Sequence, residues 1–233
     1  VFIFSYEPAT EGTKMDLISD MQSQFVVDEI AGFAWHTLSR EDLMAVAWGY
    51  YYFSVQFRES LNLACEKYPN DPLLQALREG ECDTDNLSPY PGIAEAGERM
   101  NHDEFMRRVL SLTDLGARQC ARLRQVGMRY LAFTRDLPSH ARAMSIPTYE
   151  DGGLEAVFTA ILTAPDWNHP SLRAFQHFLV EHIRFDSDEG AGHGALSRHL
   201  QPDSKTILLW TAFRDLLLEA VPNLFPVAQE LCA

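Results

Sequence analysis

The segment His182-Ile-Arg-Phe-Asp186-Ser-Asp-Glu189-Gly-Ala-Gly-His193 places two imidazoles and up to three carboxylates within about three helical turns. Nitrogen and oxygen donors without thiolates suit non-haem iron or manganese rather than structural zinc. Two other stretches carry the same donor types. Glu95 and His102 are seven residues apart, so about two turns of helix would return them to one face. Glu155 interrupts the strongly apolar run Leu154-Glu-Ala-Val-Phe-Thr-Ala-Ile-Leu. His182 and Asp186, four apart, also share a helical face, and three such helices side by side would enclose a pocket. Each residue has a plainer role open to it. Glu95 and Glu98 fit solvated helix charges, His102 fits surface polar material, Glu155 fits a first-turn acid, and His182 with Asp186 fits an ordinary ion pair.

Other chemistries find no footing in the chain. There is no Glu-x-x-His pair of the ferritin kind, no His-Glu-x-x-His motif, no Walker lysine loop and no dinucleotide-binding glycine fingerprint. Asp151-Gly152-Gly153 reads as a turn, and no serine sits in a Gly-x-Ser-x-Gly elbow. The four cysteines are widely spaced and form no CxxC, which argues against a disulfide framework and points to a reducing, cytoplasmic setting. Thirty-three acidic residues against nineteen basic ones give a charge of −14, which repels nucleic acid and anionic membrane surfaces. No apolar run reaches the roughly 20 residues of a membrane span, and the opening Val-Phe-Ile-Phe lacks the basic flank of a secretory signal.

The elements that must position these donors read as helices. Apolar residues recur at three-to-four spacing, while period-two alternation is scarce. Helices are expected over roughly 14–35, 39–67, 70–79, 91–110, 114–135, 150–163, 169–189 and 204–220. Ser39 before Arg40-Glu41-Asp42 supplies a capping hydroxyl and early carboxylates. Ser88-Pro89-Tyr90-Pro91-Gly92 predicts an extended lead-in with Pro91 as the first helical residue, so that Glu95 and His102 ride one helix. With 46% apolar residues, 233 residues in all, no repeat and no long linker, the expectation is one all-α domain of about seven to eight helices spanning 1–233.

On these residues the chain resembles the haem-oxygenase-like di-iron oxidases and oxygenases. Glu95-x6-His102 matches that family's Glu-x6-to-x9-His helix, Glu155 its lone middle-helix Glu, and His182-x3-Asp186 most of its His-x3-Asp-x2-His helix. The resemblance covers about residues 40–220 and rests on this handful of positions. It implies a haem-oxygenase-like bundle holding two Fe(II) per chain through Glu95, His102, Glu155, His182, Asp186 and His193. Glu59 would be an extra ligand by likeness to N-oxygenating members. One position departs from the pattern: three residues past Asp186 stands Glu189, and the nearest histidine is His193. In an unbroken helix His193 would lie about 16 Å along the axis from His182, too far to share a metal pair. Either Gly190-Ala191-Gly192 breaks the helix and returns His193, the favoured choice because imidazole is the expected donor, or Glu189 takes its place.

The implied activity is reduction of O2 with oxidation of a small substrate, with N-oxygenation of an amine or amino acid in a biosynthetic pathway favoured and a reductant as a possible partner. Asn101, Asp103 and Glu181 are candidates to orient ligands. The aromatic run Trp48-Gly-Tyr-Tyr-Tyr-Phe53 could line a flat pocket or simply fill the core, and the acidic stretch Glu81-Cys-Asp-Thr-Asp-Asn86 could meet a cationic substrate or serve as turn chemistry. Alternatives are oxidative carbon–carbon cleavage of a fatty or amino acid, a metal-free or thiamin-degrading enzyme of the same broad fold, haem binding, or a non-catalytic acidic interaction protein. A homodimer is the expected assembly.

Overall fold

A computed structural model describes residues 22–186 and 192–225, except the Asp186 side chain, and within them the chain is all-α. A helix over 22–31, α1, is followed by α2 (Arg40–Lys67), α3 (Pro72–Glu81), α4 (His102–Ser111) and α5 (Ala117–Asp136). Then come α6 (Ser139–Ala143), α7 (Ile146–Glu150), α8 (Gly153–Ile161), α9 (Pro170–Asp186), α10 (His193–Ser197) and α11 (Thr206–Ala220). No described helix is long and apolar enough to cross a membrane.

The 28-residue α2 is the axis of the bundle. Its start is defined by the expected serine: the Ser39 hydroxyl accepts from the Asp42 backbone N–H, and the Asp42 carboxylate accepts from the Ser39 N–H in return. From Leu43 to Phe57 almost every side chain is buried, as befits a helix covered on all sides. It packs against α3, α4, α5, α6, α7, α9 and α11. The run from Tyr50 to Phe53 supplies core: Tyr50 meets Phe158 and Phe178 at ring separations of 5.4 and 5.3 Å, and Phe53 meets Phe213 at 4.2 Å.

Two expected helices differ from their observed forms. The stretch 91–101 is not helical: Gly92 and Gly97 take φ of +76° and +74°, and Thr84 and Tyr90 pair in isolated bridges with Met100 and Ala94. The helix therefore begins at His102, and Glu95 is separated from it by turns. The expected helix over 150–163 is observed as α8, which starts at Gly153 because Gly152 adopts φ +90°, and the short α7 before it, ending at Glu150, is an unexpected addition. The short α6 and α10 have too few residues to show a period.

Both interruptions bear on function. The excursion 82–101 carries the chain from the end of α3 to the start of α4. The break after Glu150 ends α7 where α10 packs on it, and α10 also lies against α3 and α9. Five element ends thus meet in one place.

Candidate metal centre

Glu81, His102, Glu150, His182 and His193 converge at that place, with exposures of 5, 4, 4, 5 and 7%. Each arrives by a simple local device. Glu81 is the last residue of α3, on the face that buries Leu74 and Leu77, and α3 is started by the Asp71 carboxylate accepting from the N–H groups of Leu73 and Leu74. His102 opens α4, and Glu150 closes α7. His182 lies near the end of α9, its ring stacked on Phe178 at 4.0 Å and edged by Phe158. His193 opens α10. Its ring lies against Gly80, where a Cβ would sit 3.0 Å from Nε2, so a larger residue there would press on the ring.

The donor atoms form two trios that share one carboxylate. Glu81 Oε2 is 2.7 Å from His102 Nδ1, which is 2.9 Å from His182 Nε2. Glu81 Oε1 is 3.0 Å from His193 Nδ1, which is 3.3 Å from Glu150 Oε2. Glu81, His102 and His182 offer ligand atoms all within 4.8 Å of one another, and so do Glu81, Glu150 and His193. Each trio could hold a metal ion.

The hydrogen bonds behind the imidazoles show why a cation fits the first trio. His182 Nδ1 lies 2.8 Å from the Phe178 carbonyl, an acceptor that only an N–H can satisfy, so Nε2 carries the lone pair. Asn86 donates through Nδ2 to the Gly80 carbonyl at 2.9 Å, which turns its Oδ1 toward His102 Nε2 at 3.0 Å and makes that nitrogen the donor. In their neutral forms His102 therefore aims its Nδ1 lone pair at Glu81 Oε2, and His182 aims its Nε2 lone pair at His102 Nδ1. Acceptors at this range repel unless a proton or a metal ion sits among them. An imidazole donating its rear N–H to a carbonyl while its other nitrogen points at a carboxylate is the arrangement of a metal-ligating histidine.

Electrostatics agree. Burial, with the neighbouring charge of His102 adding, pushes His182 down to about 3, so it is a neutral donor near pH 7. Burial works against the Glu81 carboxylate, but the charges of His102 and then His193 outweigh it and hold it well below the usual carboxylate range. Two carboxylates buried together need positive charge beside them, which imidazolium groups or a metal ion would supply. Beside the cluster lies a narrow cleft of about 20 Å³, walled in part by Tyr50, Phe57, Leu154 and Phe178. Cys82 also lines it, but burial, with Glu81 and Asp103 adding, pushes its thiol up to about 12 and keeps it protonated.

Of the residues expected from sequence, the structure brings His102, His182 and His193 together, and His193 does so from a separate helix. Asp186 ends α9 one turn beyond His182; its side chain, and all of Glu189, lie outside the described residues. Glu95 is corrected: it is exposed among the turns before α4, its N–H bonded to the Glu98 carboxylate at 2.9 Å. Glu155 is corrected too. It stands off the stripe of Leu154, Val157, Phe158 and Ile161 that α8 buries, and belongs to neither trio. Glu59 instead joins α2 to α5 and α6 through Arg135 at 2.6 Å and Arg142 at 3.0 Å. Among the orienting candidates, Asn101 accepts the Asp83 N–H, Asp103 pairs with Arg58, and Glu181 pairs with Arg184. The orienting role at His102 falls to Asn86.

The carboxylates that complete the cluster, Glu81 and Glu150, are those the sequence reading missed. Their signal is a carboxylate on an otherwise apolar face: Glu81 continues Leu74 and Leu77 at helical spacing, and Glu150 lies one turn after the buried Ile146. Fold and site together define an all-α protein with a buried carboxylate–imidazole cluster suited to holding metal. No family model, curated protein or solved structure matches the chain.

Proposed function

We propose that the chain is a non-haem di-iron enzyme of the haem-oxygenase-like kind, which uses dioxygen to oxidise a small amine or amino acid, with N-oxygenation as the favoured outcome. The observation that carries this reading is the sharing of Glu81, one oxygen facing His102 and the other facing His193. A carboxylate used from both sides suits a pair of cations better than one.

Two ferrous ions held there would supply the electrons and Lewis acidity for dioxygen reduction that side chains lack. The residues have separable tasks. His102 and His182 would hold one ion, Glu150 and His193 the other, and Glu81 would bridge them. Asn86 and the Phe178 carbonyl fix the two rings of the first trio, so the donors are aimed before metal arrives. The aromatic side chains packed beside the cluster keep bulk water from the donors.

Donor chemistry favours iron or manganese over structural zinc, since no thiolate takes part. The order of donors along the chain also supports the resemblance: a Glu and a His, a lone Glu, a His followed four residues later by Asp186, then a last His. With Glu81 as the first Glu, the spacing to His102 is longer than the family's, the extra length being the excursion 82–101. Asp186 keeps its place as a sixth ligand on sequence spacing, and His193 beside Glu81 supports it over Glu189 as the final donor.

The test is anaerobic ferrous titration of the full chain followed by oxygen. Uptake of two irons and a transient visible absorbance on oxygenation are expected, and an amine or amino acid substrate should gain oxygen by mass spectrometry. Absence of iron uptake overturns the reading, and oxidative chain shortening of the substrate would replace N-oxygenation by carbon–carbon cleavage.

A further inference from the structure

α5 is a basic helix in an acidic chain. Five of the nineteen basic residues fall in it, and no carboxylate appears before its last residue, Asp136. Its buried side carries Leu123, Val126, Tyr130 and Thr134, so all five arginines stand on the exposed half. The two nearer the C-terminus are balanced, Arg129 by Glu219 and Arg135 by Glu59. The first three are not. Arg122 donates to the Glu219 and Ala220 carbonyls at 2.8 and 2.7 Å, Arg118 and Arg124 make no hydrogen bond or ion pair, and among the described residues none of the three meets a carboxylate. On the same half Met128 and Phe133 are 52 and 49% exposed.

Uncompensated arginines beside exposed apolar side chains combine steering charge with anchors for a protein partner. The rest of the molecule limits what can reach them. A net charge of −14 repels an extended polyanion such as nucleic acid or an anionic membrane, whereas a globular protein with a local acidic patch can meet the three arginines alone. Position narrows the partner further. α2 lies between α5 and the metal cluster. Its Tyr52 ring fills the space at Gly127 of α5, where a Cβ would sit 2.0 Å from it, and its Tyr50 and Ser54 line the narrow cleft beside Glu81 and His182. Packed helices stand about 8–10 Å apart, so a partner on α5 comes within a few helix spacings of the centre.

We propose that the exposed face of α5 docks a small acidic electron-carrier protein of the iron–sulfur type, Arg118, Arg122 and Arg124 meeting its carboxylates and Met128 and Phe133 its apolar surface. The identity of the partner rests on the metal-centre reading above: an iron pair that has reduced dioxygen returns to the ferrous state only with two electrons from outside, one from each of two reduced carriers, which leave oxidised. The docking face itself rests on α5 alone.

The experiment is calorimetry of a plant-type ferredoxin on the full chain, with and without iron. Micromolar binding at low ionic strength that weakens as salt is raised is expected in both. R118Q combined with R124Q should weaken it at least about tenfold, with helicity and iron uptake unchanged, while R198Q, the same loss of charge on α10, should leave it intact. Under anaerobic conditions reduced ferredoxin should reduce the ferric-loaded wild type and fail with the double variant. No binding, or binding that the double variant retains in full, overturns the docking face. A wild-type dimer that the double variant dissociates overturns it as well, since a second copy would then cover α5. Arginine-dependent binding by a chain that takes up no iron supports the docking face and counts against the metal centre alone.

Discussion

Tyr149 and Glu150 are consecutive residues of α7, both buried, yet they enter polar environments of opposite character. The Tyr149 hydroxyl donates to Gln56 Oε1 at 3.4 Å, Tyr130 donates to the same oxygen at 3.0 Å, and Gln56 Nε2 donates to Ser60 Oγ at 2.7 Å. In that network neutral donors meet acceptors, and burial raises both tyrosine hydroxyls further from ionisation. Glu150 instead joins a cluster of carboxylates and imidazoles whose ligand atoms lie within 4.8 Å of one another. One group closes on itself and holds α2, α5 and α7 together; the other gathers donor atoms that could hold a metal ion. A buried polar group that is complete reads as structure, and one that lacks a cation reads as a site.

The comparison can be broken most decisively at Glu81. E81Q keeps the shape of the side chain but removes the shared charge, and iron uptake should fall from two per chain to none, read by anaerobic titration, with helicity by circular dichroism unchanged. Next come the unshared ligands. H182A and E150Q should each cost one of the two ions, from opposite sides of Glu81, and retention of both ions in either variant would count against the trio assigned to it.

In the closed network the expectation reverses. Q56L strands two tyrosine hydroxyls and should cost about 2–3 kcal/mol of stability in thermal or urea unfolding, while iron uptake stays at wild-type level. The smallest effect is on pH. In the metal-free chain the fold pushes His182 from 6.5 to about 3. The unfolded chain therefore takes up a proton that the fold refuses, and stability should decline as pH falls below about 6.5, with a slope of up to ~1.4 kcal/mol per pH unit from this group. Glu81, depressed in the fold, adds to the loss at more acid pH, as pH falls through its folded value. H182Q should flatten the upper part of that decline in melts recorded from pH 7 to pH 4, whereas Q56L should leave its slope unchanged.

The helices and the imidazoles were legible in the sequence for different reasons. Long helices advertise themselves by period and caps, as Ser39 and Asp42 do for α2. Histidines are rare enough that His102, His182 and His193 attract attention wherever they stand. Carboxylates are common, and the two that matter hide at helix ends. Glu81 begins an acidic run that looks like turn chemistry, and Glu150 precedes the turn Asp151-Gly152. Glu95 and Glu155 had the better local spacing, but spacing presumes a continuous helix. Positive-φ glycines at 92 and 97 deny that to Glu95, and Glu155 falls off the buried stripe of α8. Likewise, no local pattern reveals that Gly80 leaves room for a ring 113 positions later; only tertiary contact does.

The account turns on Glu81 standing between two cations, and anomalous scattering from crystals of the ferrous-loaded chain tests this most directly. Two iron peaks roughly 3.5–4 Å apart, one against His102 and His182 and the other against Glu150 and His193, are the predicted result. A single peak on one side of Glu81, or iron bound away from it, would contradict the account.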